Sequence, residues 1–187
     1  MKLLTLLCCA LVVTGIAFAQ DIRQKVKSPD EVTLPSRIID PDEGIFGIPF
    51  DTSEDELIER LGKPDGYLRL TGNESCMIYG TDIAFLLEDG RLHGVRITHS
   101  IIDWRISRRM PRASIFHGLQ WKLSNGIQYE TGLHEVKRIL GDELAGDSHN
   151  RSYSTDNATV HLNLSHYVGE GDEDGAYKVY GIMVEKR

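Results

Sequence analysis

Apolar residues recur along this chain in two registers, a short helical one followed by a longer strand-like one, and the chain runs through that order twice. From Glu54 to Leu61, the residues Leu57, Ile58 and Leu61 fall on one helical face. Ser53 and Glu56 read as a capping box, in which the serine hydroxyl accepts from a first-turn amide and the glutamate reaches back. Glu54, Asp55 and Glu56 favour the positive end of the helix dipole, Gly62 suits a left-handed C-cap, and Pro64 prevents continuation. The spacing predicts a short amphipathic helix. Beyond the turn at Pro64-Asp-Gly66 the period becomes strand-like, and Tyr67 to Leu70, Met77 to Tyr79, Ile83 to Leu87 and Leu92 to Ile97 are β-favouring runs. Asp89-Gly90 between two of them predicts a tight hairpin, because both central positions want positive φ.

The segment Gly47 to Gly62, GIPFDTSEDELIERLG, returns at Gly126 to Gly141 as GIQYETGLHEVKRILG. At constant offset Asp51 pairs with Glu130, Thr52 with Thr131, Glu56 with Glu135, Leu57 with Val136, Leu61 with Leu140 and Gly62 with Gly141. Downstream, Tyr79-Gly-Thr-Asp82 answers to Tyr153-Ser-Thr-Asp156, and Leu92-His-Gly-Val-Arg-Ile97 to Val179-Tyr-Gly-Ile-Met-Val184. A second helix is predicted from Gly132 to Leu140, with strands near Ser152 to Ser154, Thr159 to Tyr167 and Tyr177 to Val184. The predicted fold class is α+β, with two tandem units, each a short amphipathic helix packed on an antiparallel β-meander. Each unit alone would bury too little surface to be stable, so the two are expected to share one sheet or core. The expected divisions are a signal peptide over 1–19, an extended N-terminal arm over 20–43 with a short strand or helical turn near Arg37 to Ile39, a first unit over 44–100, a basic connector over 101–123 and a second unit over 124–187.

The signal peptide rests on MKLLTLLCCALVVTGIAFAQ, which carries one lysine, an apolar run and Ala17-Phe-Ala19 as a small-x-small cleavage site. Cleavage is expected after Ala19, leaving a soluble periplasmic or secreted protein without an integral membrane span. Of three cysteines, Cys8 and Cys9 leave with the peptide. Cys76 then remains, without an internal disulfide partner. It is read as a small buried apolar residue, with an intermolecular disulfide or reactive thiol as the alternative. The net charge of −7 disfavours a nucleic-acid partner.

Against the acidic background one stretch is basic. Ile101 to Leu123 holds Arg105, Arg108, Arg109 and Arg112, bracketed by Trp104 and Trp121. It reads either as a connector whose arginines pair with the acidic units and whose tryptophans plug the seam between them, or as an exposed surface for an anionic partner, Arg and Trp being the residue types of interface hot spots. The run Thr159 to Tyr167 alternates, with Val160, Leu162 and Leu164 on one face and His161, Asn163, Ser165 and Tyr167 on the other. His161 and Tyr167 are candidates for a binding surface on that polar face. The remaining histidines, His93, His99, His117, His134, His149 and His166, form no HExxH or HxH, and His161 and His166 fall on opposite faces of one strand. GxSxG and P-loop patterns are absent, and no cofactor is implied. The acidic loop 169–175 reads as a solvated turn, with calcium binding as the alternative.

The pattern GIPF-x-T-S-x-x-E-L-I-x-x-L-G-K-P, followed by a tyrosine-containing strand and apolar-E-D-G-apolar strands, resembles the repeats of β-lactamase-inhibitor-protein-like proteins. It also resembles the small outer-membrane assembly lipoproteins of the SmpA/OmlA type. The matching residues are caps and core positions: Thr52, Leu57, Leu61, Gly62 and Pro64, with Thr131, Val136, Leu140 and Gly141 in the second copy. Both families are non-catalytic binders, and in the first a tandem pair forms one concave sheet that grips a protein. This chain lacks the lipid-accepting cysteine of the second family and the paired disulfide cysteines of the first. The resemblance implies a non-enzymatic protein-binding or scaffold module of the bacterial envelope, with a protein partner in the envelope or outside the cell. The competing expectation is an envelope hydrolase or metal-dependent enzyme with its site at the seam between the units.

Overall fold

The computed structural model describes residues 33–98, 116, 118–147, 149–166 and 177–187. These form a mixed α+β fold of mostly antiparallel strands with two short helices among the described residues. Strands β1 (Ile38–Asp40), β2 (Gly44–Ile45) and β3 (Ile48–Pro49) precede helix α1 (Glu54–Leu61), after which β4 (Gly66–Arg69), β5 (Glu74–Tyr79), β6 (Ile83–Glu88) and β7 (Arg91–Ile97) form a meander. Strand β8 (Lys122–Leu123) leads to helix α2 (Leu133–Leu140), a 3₁₀ turn and strands β9 (Ala145–Gly146), β10 (Asn150–Ser154), β11 (Ala158–His166) and β12 (Tyr177–Lys186).

Local chemistry explains the helix ends. In α1 the Ser53 N–H donates to Glu56 Oε2 at 3.1 Å and the Glu56 N–H to Ser53 Oγ at 3.4 Å, a reciprocal cap that holds the Glu56 carboxyl below its ordinary pKa. In α2 the N-cap is Gly132, which offers no side chain. The hairpin between β6 and β7 turns on Asp89 and Gly90 at φ of 50° and 71°, the left-handed pair that matches strand twist.

The strands pair in the order β4-β5-β6-β7-β12-β11-β10-β9 in one eight-stranded sheet, while β3-β2-β1-β8 form a small second one. In the small sheet β1 joins β8 in parallel and β2 antiparallel. The large sheet buries its inner face from β5 to β10, and its outer face as well on β5 and β6. Its central inner row runs Tyr67, Met77, Phe85, Val95, Val184, Val160 and Tyr153 across seven strands. All of that row except Tyr67 belongs to one core cluster with Leu57 and Leu61 of α1, Leu133 and Val136 of α2, and Ile39 and Ile45 of the small sheet. Under β5 and β6 the filling is aromatic: Phe85 meets Phe46 at 6.2 Å, Tyr79 at 5.6 Å and Phe116 at 6.2 Å between ring centroids.

Both helices are approached through the same kind of corner. Asp51, at φ 64°, donates its N–H to Leu92 O at 2.9 Å, and the Leu92 N–H returns to Thr52 O at 2.8 Å. Glu130, at φ 66°, donates to Val179 O at 2.7 Å, and the Val179 N–H returns to Thr131 O at 3.0 Å. Positive φ is uncommon for residues with a side chain, so these two corners are held by the strands they touch. Lys186 Nζ also bonds Asp51 Oδ2, tying the end of β12 to the first corner.

Candidate binding face

Strand alternation sends every second side chain of the large sheet to its outer face. One outer row crosses all eight strands as Gly66, Ile78, Ala84, Arg96, Met183, His161, Ser152 and Ala145. Its two ends differ. On β5 and β6, Ile78, Ala84 and neighbouring Cys76 are between 2% and 5% exposed and form a small apolar cluster with Leu86. From β7 onward Arg96 is exposed, and Met183, His161 and Ser152 are half-buried.

That second part carries a shallow depression of about 230 Å³ lined by Arg96, Asn150, Arg151, Ser152, His161, Asn163 and Met183. Asn163 Nδ2 donates to Asn150 Oδ1 at 3.0 Å, which fixes both amides across the β10–β11 pair. His161 Nε2 stands 3.8 Å from Glu185 Oε2, a contact that becomes an ion pair when the ring is protonated. At the β7–β12 junction the strands pack closely at two glycines: a Cβ on Gly94 would lie 2.3 Å from Val184 O, and one on Gly181 3.0 Å from Ile97 O. Both strands bulge beside those glycines, since the register shifts past His93 in β7 and past Tyr180 in β12. The depression offers two amides, a hydroxyl, two guanidiniums, an imidazole and a thioether. These are hydrogen-bonding and packing groups carried by the strands β7, β10, β11 and β12.

A second concavity of about 110 Å³ lies where β7 and β12 meet, lined by Asp82, Ile83, Ile97, Thr98, Phe116, Trp121, Tyr129 and Tyr180 among others. Trp121, 4% exposed, shares that lining with Ile97 of one meander and Tyr180 of the other. Asp82 is the one carboxylate in this lining, and no described histidine or cysteine joins it. Among the described residues no group of three or more His, Cys, Asp or Glu is arranged to hold a metal ion.

Of the residues singled out from sequence, His161 sits in the outer depression and Trp121 in the wall of the seam. Trp104, Arg105, Arg108, Arg109, Arg112 and Tyr167 lie outside the described residues, as do the signal peptide and the 169–175 loop. His166 falls on the inner face at the end of β11, where its ring meets Tyr177 at 4.9 Å, and His149 meets the same tyrosine at 5.3 Å. Cys76 is buried, and burial pushes its thiol pKa up. Arg96, Met183, Ser152 and Asn150 were not singled out beforehand. Their alternation with Val95, Ile182, Val184 and Tyr153 was visible in the sequence, but their convergence depends on β12 pairing with β7, which no local period announces.

No known family profile and no curated protein matches this chain. Among solved structures it is similar to an extracellular protein containing a SCP domain from Bacillus anthracis str. Ames, at 9% sequence identity over 88% of this chain, with a TM-score of 0.37. The chain spans about half of that structure, 48% of its length. Likeness at that level carries no argument about function. No helix among the described residues is long and apolar enough to cross a membrane.

Proposed function

We propose that the protein is an exported, soluble, non-enzymatic binding or scaffold module of the bacterial envelope, and that its outer sheet face from β7 to β10 receives a protein partner. The observation that carries this reading is the outer row Arg96, Met183, His161 and Ser152, three polar side chains around a methionine. From β7 to β10 these positions are exposed or half-buried, on a sheet whose other face is core. Export rests on the N-terminal charge, apolar run and Ala17-Phe-Ala19 site.

The architecture behind the face is two helix-plus-meander units joined through their last strands. Matched details support it. The corners at Asp51 and Glu130 share φ and hydrogen bonds, and isolated bridges join Ser53 to Arg91 and Gly132 to Lys178 at equivalent places. The bulged residues His93 and Tyr180, and the close-packed glycines Gly94 and Gly181, occupy equivalent positions as well. Such a pair leaves a broad face at the junction, where two strand ends supply unlike residues at like positions: Arg96 stands opposite Met183.

The test is site-specific photocrosslinking in cells, with the photoreactive residue placed at His161 or, as a control, at Glu59, exposed on α1. A discrete protein adduct from position 161, absent from position 59 and lost in Arg96→Glu, is the expected result. No adduct at 161, or measurable turnover of a substrate by the purified chain, would reject the reading.

A further inference from the structure

Large apolar side chains are about half exposed at only four places among the described residues, Ile38, Tyr67, Leu68 and Leu70, and three of these lie on or directly after β4. Among the described residues β4 is an edge strand, bonded to β5 alone. Natural edges are usually guarded by proline, lysine or inward charges. Here Gly66–Arg69 has neither proline nor lysine; its one charge, Arg69, stands on the inner-face side with Tyr67, so the edge pairs only where a partner supplies that charge with an acid.

The free edge has a defined register. The Leu70 N–H donates to Glu74 O at 3.0 Å, and Leu68 and Gly66 stand opposite Cys76 and Ile78. Residues 66, 68 and 70 therefore turn their backbone groups toward β5, and Tyr67 and Arg69 turn theirs outward. On the inner face, the Tyr67 hydroxyl donates to Ser75 Oγ at 3.0 Å and lies 3.3 Å from Glu54 Oε2. The Arg69 guanidinium is exposed and has no bonding partner among the described residues.

We infer that β4 pairs antiparallel with β4 of a second copy of this chain, about a two-fold axis through Leu68. Tyr67 of each copy then opposes Arg69 of the other, and both outward residues exchange N–H···O bonds. Each Arg69 comes to lie beside the other copy's Tyr67 and reaches its Glu54, giving two reciprocal charge-assisted contacts. On the outer face Leu68 meets Leu68 and extends the apolar patch of Cys76 and Leu86. Sliding one step opposes Arg69 to Arg69. Sliding the other way opposes it to Asp65, whose N–H is already given to Ile78 O. The contact is isologous and closed, so it ends at the dimer.

The experiment is sedimentation of the mature chain over a wide concentration range, with disulfide trapping. A monomer–dimer equilibrium is expected, and Arg69→Glu is expected to weaken it by roughly tenfold or more. Glu54→Lys added to Arg69→Glu is expected to recover it. In a Cys76→Ser background, Leu68→Cys is expected to form an interchain disulfide, since Cα atoms of an unbonded antiparallel pair stand about 4.5 Å apart. Glu59→Cys in the same background is expected to form none. Circular dichroism melts establish that each variant is folded. A chain that stays monomeric throughout, a dimer indifferent to Arg69→Glu, or a monomer that takes an unrelated extended peptide along β4 would overturn the inference.

Discussion

Followed across the sheet, the inner row is apolar from Met77 to Tyr153, whereas the outer row changes from Ile78 and Ala84 on the β5–β6 side to Arg96, Met183, His161 and Ser152 beyond it. The inner faces of the two meanders answer to one packing problem, since both must cover a helix of similar length. The outer faces answer to different ones. On the β5–β6 side both faces are buried, which is why that stretch reads as a continuous apolar run from Cys76 to Tyr79 rather than as an alternation. On the β11 side the outer positions stay accessible, and the alternation from Ala158 to Leu164 is regular. A face under no packing constraint can differ between halves without loss of fold, so specialisation is expected there.

The largest test of the matched inner faces is to remove core from one side and watch the other. Phe85 is fully buried among three aromatic rings, and Leu162 occupies an inner position on β11, also fully buried. Phe85→Ala is expected to cost about 3–5 kcal/mol and Leu162→Ala about 2–5 kcal/mol in urea unfolding. Because one core cluster spans both meanders, each variant is expected to shift a single transition seen identically by fluorescence and circular dichroism. Two separated transitions would break the comparison, by showing that the halves fold as independent bodies.

The next effect distinguishes two buried tyrosines at equivalent strand ends. Tyr79 gives its hydroxyl to Gly62 O at 2.8 Å, and burial raises its pKa, helped by Asp65 and Glu54. Tyr153 accepts from Asn125 Nδ2 at 3.0 Å, and its pKa is pushed up to about 12, chiefly by burial. The unfolded chain ionises such phenols near pH 10 and the folded chain later, so above that pH the unfolded state holds fewer protons and stability falls. The contribution of Tyr153 is intact below about pH 10 and is lost as the pH rises toward 12, at about 1.4 kcal/mol per unit of pKa difference. Urea midpoints measured from pH 9 upward are expected to fall less steeply in Tyr153→Phe. An unchanged slope would place the alkaline sensitivity in other groups.

How much of this was legible beforehand depends on how local the cause is. The Ser53–Glu56 cap, the Asp89-Gly90 turn and the alternation of β11 are written within a few residues, and the structure places all three where the sequence put them. Near Arg37 to Ile39 the sequence allowed a short strand or a helical turn, and the structure forms a strand at Ile38–Asp40. Its role was not readable, because β1 joins β2 to a strand at Lys122–Leu123 far along the chain. The same holds for the candidate face. His161 could be named from its own strand, but Arg96 enters only through the β7–β12 pairing, and Tyr180 is set out of register by a bulge that depends on β11. Pairing between distant strands leaves no periodic trace in either one.

The smallest effect is the sharpest comparison of the two helices. α1 begins with Ser53 and has Glu56 at its third position; α2 begins with Gly132 and has Glu135 at the same place. Ser53→Ala removes an acceptor for a first-turn amide and is expected to cost about 1 kcal/mol. Gly132 stands at φ −67° and ψ 149°, an extended cap geometry any residue adopts, and a Cβ there meets nothing within 4 Å. Gly132→Ser therefore completes a Ser-x-x-Glu cap on α2 at no steric cost. The expected gain is a few tenths of a kcal/mol, because glycine is itself a fair N-cap. Part of it is offset, since Glu135 must leave Arg138, which it now holds through Nε at 2.7 Å. Ser53→Ala and Gly132→Ser together are expected to give the sum of the two single effects, as the helices share no capping partner. A Gly132→Ser variant less stable than the parent would mean that the bridge from Gly132 to Lys178 needs glycine at that corner, and the likeness between the two helix starts would end there.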